Sequence, residues 1–209
     1  MGGRGSSFSD GRGLDFGAPK GGNPKYLFPS QLNRLNKTGD QDRMIEHFHE
    51  VYGKKNSEYL AAIDENGYVV THIAGQRGSV TLDYKGMARA TSNKDVIGVH
   101  VTHNHPYHGW GNFSGADLMN FAQFNMRSHS AVSTNLTPEQ AAKIGSNASR
   151  RRAGTYKISK TKDFKASDFT RALNKVKVSD SDYDRTLTNW LRANQKRYGY
   201  KFTYTPSTR

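Results

Sequence analysis

The chain contains no cysteine. Disulfides, thiolate metal sites and cysteine nucleophiles are therefore excluded, and any metal has to be held by histidine and carboxylate. Long apolar runs are missing too. No stretch approaches the roughly 18 residues that span a bilayer, so no membrane partner is expected. The opening residues MGGRGSSFSDGRG lack the apolar segment of a secretory signal. The expected setting is the cytoplasm or a virus particle. Acidic side chains are scarce: 18 Asp and Glu stand against 31 Lys and Arg, a formal net charge of +13. Hydrophobic residues make up 34% of the 209 positions. That is low for a chain folded end to end, and implies one core with polar material around it.

The charge is unevenly placed. Residues 150–209 carry a net +11, residues 41–149 a net −1 and residues 1–40 a net +3. An excess confined to the C-terminal third points to nucleic acid or an acidic protein surface as a partner of residues 150–209. A solvated basic face is the competing reading. Arg150, Arg151 and Arg152 form its densest run, read either as a phosphate-binding loop or as solvated surface. Residues 1–38 crowd Gly2, Gly3, Gly5, Gly11, Gly13, Gly17, Gly21 and Gly22 together. Such a segment buries too little apolar surface to offset its ordering entropy and is expected to be disordered. Three regions follow: this segment, a central domain over 39–160, and a basic helical extension with a terminal strand over 161–209.

Within the centre, Met44, Ile45, Phe48, Val51 and Tyr52 have helical spacing, with Asp40 as N-cap. Residues 58–64 and 68–74 read as strands joined by a turn containing Asn66-Gly67. A short segment over 79–82 and a short helix over 84–91 follow. Residues 95–102 have the profile of a buried strand, and a helix runs from Ser114 to about Arg127. Strands are expected over 130–134 and 155–159, with a short helix at 137–144 between them. Helices near 166–176 and 181–197 precede an alternating edge strand, Tyr200–Tyr204. The fold class is α+β with a mixed sheet.

The informative segment is Val101-Thr-His-Asn-His-Pro-Tyr-His-Gly-Trp-Gly-Asn-Phe-Ser-Gly-Ala-Asp117. His103 and His105 lie two apart at a strand end, so their side chains leave the same face and both reach one metal ion. Ser114 is a good N-cap and puts Asp117 in the first turn of the next helix. The glycines between allow that turn to fold back beside the strand. Two histidines and one carboxylate leave a tetrahedral zinc with an open fourth position, the arrangement of a hydrolytic site.

His103-Asn104-His105-Pro106 and Ser114-Gly115-Ala116-Asp117 resemble the two halves of the metal motif of the JAMM (JAB/MPN+) metallopeptidases. The His-Asn-His-Pro form is most similar to the RadC-like branch and related phage proteins. The resemblance covers about residues 41–160. It implies an MPN/cytidine-deaminase-like mixed sheet with flanking helices, Zn2+ as cofactor, and hydrolysis of a peptide or isopeptide bond in a protein or peptide substrate. It further implies His103, His105 and Asp117 as metal ligands, Ser114 as the oxyanion donor, and an upstream glutamate as the proton shuttle. Glu58, which opens a strand, takes that place, with Glu65 in the following turn as runner-up. The His105–Ser114 loop holds eight residues, one more than the family pattern. Gly109 and Gly111 absorb the extra residue, or else it shifts Ser114.

Other features carry less. His108 is read as an exposed loop residue, with substrate contact or an adventitious ligand as the alternatives, and Trp110 lines a substrate groove or packs over the loop. His47, His49, His72, His100 and His129 have no partner at ligand spacing. Trp190, Tyr198, Tyr200, Phe202 and Tyr204 read as a core for the C-terminal segment. His-Asn-His in consecutive positions does not match an HNH nuclease, whose residues are spread over a hairpin and helix. Two other functions stand beside the hydrolase: a nucleic-acid- or virion-associated binding module with a structural or vestigial metal site, and a phage-borne toxin-type effector.

Overall fold

Alternating small and apolar residues over 59–64, 99–104 and 126–133 build the centre of the molecule. The computed structural model describes residues 40–65, 69–80, 98–178 and 180–208. Its strands are β1 (Tyr59–Asp64), β2 (Val69–Ala74), β3 (Val99–Asn104), β4 (Met126–Ser133), β5 (Gly154–Lys160) and β6 (Tyr200–Pro206). They form one six-stranded sheet in the order β2-β1-β3-β4-β5-β6. The pair β3–β4 is parallel and the other four pairs are antiparallel. A parallel pair requires a crossover, because a tight turn cannot return the chain to the same end. Helix α2 (Gly115–Gln123) supplies it.

Strand parity divides the sheet's two faces between two cores. One face carries Leu60, Ala62, Val99, Val101, Ala131, Tyr156, Ile158, Tyr200 and Phe202. Against it pack Leu118 and Phe121 of α2, Phe169 of α4 (Ala166–Leu173), and Leu187 and Leu191 of α5 (Tyr183–Tyr198). The opposite face carries Ala61, Ile63 and Val132, covered by Met44 of α1 (Asp40–His47) and by Phe48 and Tyr52. Helix α3 (Pro138–Ile144) is capped by Thr137, whose hydroxyl accepts from the Gln140 N–H, and buries no residue. The architecture is α+β: a mixed sheet with five helices among the described residues.

Several expected boundaries move, each for a local reason. The helix expected over 41–52 is α-helical to His47 and closes with a π-helical turn over Phe48–Tyr52. Helix α2 ends at Gln123 rather than near Arg127, since Phe124 turns to an extended backbone (φ −100°, ψ 167°). The residues released enter β4 from Met126, four positions before the expected start, because Met126 already pairs with Val99. The Gly-rich segment 1–38, the Asn66-Gly67 turn, the helix expected at 84–91 and the strand start at 95–97 lie outside the described residues.

Residues 161–208 share the sheet and core of the rest. The division placed near residue 160 falls at the end of β5, and β6 then pairs along all of β5 from Gly154↔Pro206 to Lys160↔Tyr200. Helix α5 stops at Gly199, whose left-handed backbone (φ 72°) sends its N–H back to the Gln195 carbonyl. A Cβ there would sit 2.3 Å from the Asp163 carbonyl oxygen, so the turn into β6 needs glycine. Phe169 is fully buried among Phe121, Phe164, Trp190, Tyr198 and Tyr200. Phe169→Ala should therefore cost about 3–5 kcal/mol. It should shift one unfolding transition, seen alike by far-ultraviolet dichroism and tryptophan fluorescence. Two separated transitions would show that the C-terminal segment folds as its own unit.

Candidate metal centre

The site grows from the end of β3. His103 pairs with Leu60 on one side and Ala131 on the other. The His105 N–H continues the β4 ladder by donating to the Val132 carbonyl (2.8 Å). With the strand still extended, both imidazoles leave the same face, as their spacing predicts. Nε2 of His103 and Nε2 of His105 lie 2.8 Å apart. The Asp117 Oδ2 atom is 3.5 Å from the first and 3.6 Å from the second. Tetrahedral ligands on zinc bonds of about 2.0–2.1 Å stand roughly 3.3 Å from one another, so three atoms at these separations suit one small cation. The two histidines are buried, and the Asp117 side chain is 19% exposed.

Asp117 is delivered by a reciprocal cap. The Ser114 N–H and Oγ–H both donate to Asp117 Oδ2 at 2.7 Å, and the Asp117 N–H returns to Ser114 Oγ at 3.1 Å. Ser114 thus orients the carboxylate, with its hydroxyl hydrogen committed to Asp117. Burial alone would raise the Asp117 pKa. The charge of His103 and hydrogen bonds from His103 and His105 outweigh it and hold the carboxyl well below its ordinary range. His103 shows the converse: burial works against its charge, and Asp117 raises its pKa overall.

The outer nitrogens are also placed. His105 Nδ1 is 3.0 Å from the Trp110 carbonyl oxygen and so carries the proton, which leaves the Nε2 lone pair directed at the cluster. His103 Nδ1 is 3.0 Å from Nε2 of His129, a residue to which its isolated position in the sequence assigned nothing. The parallel register brings it there: Val101 pairs with His129 and His103 with Ala131, so His129 and His103 share a face two residues apart. Burial, and next the charge of His103, push the His129 imidazole down to about 3, so it is neutral near pH 7. His103, Asp117 and His129 offer ligand atoms within 4.8 Å of one another, a buried group able to hold a metal ion. The two triads share His103 and Asp117, but His105 meets His103 at Nε2 and His129 meets it at Nδ1.

Glu58 sits one residue before β1, its backbone bonded to Gln76 and Gly75. The register pairs Leu60 with His103. Continued two residues, it sets Glu58 opposite His105 and on the same face. Its carboxyl pKa is raised, by burial first, while His103 and His105 pull it down and the Val80 N–H donates to it. Glu65, the runner-up, lies at the other end of β1 and pairs with Arg127 at 2.8 Å. Asn104, between the two histidines, points to the opposite face and is fully buried. Its Oδ1 accepts from the Tyr59 N–H (2.6 Å), and its Nδ2 donates to the carbonyls of Tyr52 (3.0 Å) and Ser57 (3.1 Å). Asn104 therefore clamps the two residues that flank Glu58.

The eight-residue loop is anchored from afar. Asp184, on α5 and fully buried, accepts the N–H groups of Gly111 (3.0 Å), Asn112 (3.0 Å) and Arg152 (2.7 Å). Asn112 Nδ2 donates in turn to the Asp184 carbonyl and Thr188 Oγ1. Arg151 donates to the carbonyls of Gly109 (3.0 Å) and Thr134 (2.6 Å), so the middle of the Arg150–Arg152 run braces the loop. A Cβ on Gly111 would lie 2.0 Å from the Arg152 carbonyl oxygen, whereas Gly109 has room. Trp110 stacks on Tyr183 at 5.8 Å, in line with packing over the loop.

Asp184→Ala leaves three N–H groups without an acceptor, each worth about 1–3 kcal/mol when buried and unpaired. The expected loss of unfolding free energy in urea is about 3–5 kcal/mol. A loss below about 1 kcal/mol would mean that the loop is held by its other contacts.

No protein-family model matches this chain, and no curated protein matches it.

Proposed function

We propose that the protein is a zinc-dependent hydrolase of the JAMM type, acting on a peptide or isopeptide bond, with an MPN-like sheet as its scaffold. The observation that carries this reading is the convergence of His103 Nε2, His105 Nε2 and Asp117 Oδ2 at 2.8–3.6 Å, with Glu58 across the strand pair. These three residues would hold the ion. His129 is the better supporting residue than ligand, because it engages the far nitrogen of His103, and one imidazole cannot turn both nitrogens to one ion. Bound zinc supplies Lewis acidity towards a carbonyl and a water acidified to near neutrality.

The chain's own residues do the rest. The Glu58 carboxylate, beside the cluster and clamped through Asn104, takes a proton from the attacking water and returns it to the leaving amine. Ser114 holds Asp117 in place. For its Oγ–H to steady an oxyanion, it has to turn away from Asp117 Oδ2, a rotation about one bond at an exposed residue. The Trp110 carbonyl keeps His105 in the one tautomer that can ligate.

Elemental analysis tests the site. Wild-type protein supplied with zinc should hold one ion per chain, and His103→Ala with His105→Ala should hold none. His129→Gln should keep the ion with affinity lowered about 10–100-fold, as for other partners of a ligating histidine. Glu58→Gln should retain zinc and lose at least about 100-fold in turnover of a fluorogenic library of peptides and isopeptide-linked peptides. Wild-type protein that takes up no zinc would sink the hydrolase reading. Loss of metal in His129→Gln together with its retention in His105→Ala would move the ion to the His103–Asp117–His129 group.

A further inference from the structure

A cleft of about 720 Å3 lies between α4 and α5, lined along α5 from Thr186 through Trp190 to Arg197 and Tyr198. From Asp184, which anchors that loop, to Arg197 in the cleft is about 20 Å along the helix. Lys165, Arg171, Lys175, Lys177 and Arg197 line it against a single carboxylate, Asp168. All five cations are exposed. Asp168 offsets Arg171 only, at 3.7 Å in an exposed pair that contributes little in water.

Two aromatic rings complete the lining. Trp190 is half-buried, stacked on Tyr198 at 6.2 Å with 27° between the planes and backed by Phe169 at 5.8 Å. Arg197 lies over Tyr198 at 5.3 Å. The indole is thus held firm from one side while contributing to an open, cation-rimmed space. A fixed aromatic platform with a ring of flexible cations fits an alternation of planar base and phosphate. The volume suits one or two nucleotides. An acidic peptide would use the cations and leave the indole idle, and a duplex keeps its bases stacked inside.

We propose that this cleft binds single-stranded nucleic acid, with phosphates on Lys165, Arg171, Lys175, Lys177 and Arg197 and one base stacked on Trp190. The site is separate from the metal cluster and does not depend on the hydrolase reading. Fluorescence anisotropy of the full chain with a labelled oligothymidylate of about 15 nucleotides, titrated from about 50 mM salt upward, tests it. Wild-type affinity should fall steeply with salt. The exposed triple variant Lys175→Ala/Lys177→Ala/Arg197→Ala should bind at least about tenfold more weakly, and its log–log salt slope should be shallower by about 2. Trp190→Leu, with folding checked by dichroism, should lose about tenfold at an unchanged slope. Absence of binding at the lowest salt would overturn the proposal. So would wild-type affinity in either variant, or competition by duplex DNA or polyglutamate as strong as by the single strand.

Discussion

A carboxylate buried without water is tolerated only when other groups replace its hydration, and at Asp184 the replacement is three backbone N–H groups. Those donors belong to the loop between the two halves of the metal motif and to the residue entering β5. The loop has no ladder or helix of its own, so Asp184 supplies the satisfaction that regular structure would otherwise give. The consequence reaches the candidate metal centre. Gly111 and Asn112 fix the chain just before the turn to Ser114, and the neighbouring Trp110 carbonyl sets the tautomer of His105. Asp184, 67 residues beyond Asp117 in the chain, therefore anchors the loop that joins His105 to Ser114.

The second constraint is strand parity. His103, His105 and Glu58 share a face because their positions differ by even steps along paired strands, and Asn104 takes the other face for the same reason. The odd residue of the motif is freed to bind backbone on the far side, where it clamps Ser57 and Tyr59. One short segment thus directs its two imidazoles to one side of the sheet and an amide brace to the other. A slip of one residue would exchange these roles and bury two histidines where Asn104 now sits.

What was legible in the sequence was local. The spacing of His103 and His105, the cap that sets Asp117, the helix at 137–144 with Thr137 before Pro138, and the alternation of β6 are all decided within a few residues. Glu58 follows from the family resemblance and its place at a strand start, and the register sets it opposite His105. His129 was not legible, because its meeting with His103 depends on the parallel pairing of β3 and β4, and sequence spacing does not encode that register. Asp184 was hidden similarly: an Asp in the first turn of a helix reads as a favourable dipole partner, and only tertiary structure shows it collecting the N–H groups of another loop. The Arg150–Arg152 run divides: Arg150 and Arg152 are exposed, as a solvated loop requires, and Arg151 is not. Arg151 spends its donors on the Gly109 and Thr134 carbonyls, a use that a run of like charges does not reveal.

The basic character of the C-terminal third is consequently two things. Near β5 an arginine is structural, turned inward to carbonyl oxygens. Along α4 and the last turns of α5 the cations point outward around an aromatic floor. Helix α5 serves both ends: Asp184 and Thr188 face the metal loop, Leu187 and Leu191 fill the core, and Trp190 and Arg197 border the cleft. Since Leu187 and Leu191 are locked between these ends, the helix behaves as a rigid spacer of fixed length. Asp184 and Arg197 stand about 20 Å apart along it, a length of roughly six nucleotides of stacked single strand or about six residues of extended peptide, while Thr186 carries the cleft's lining back towards the loop end.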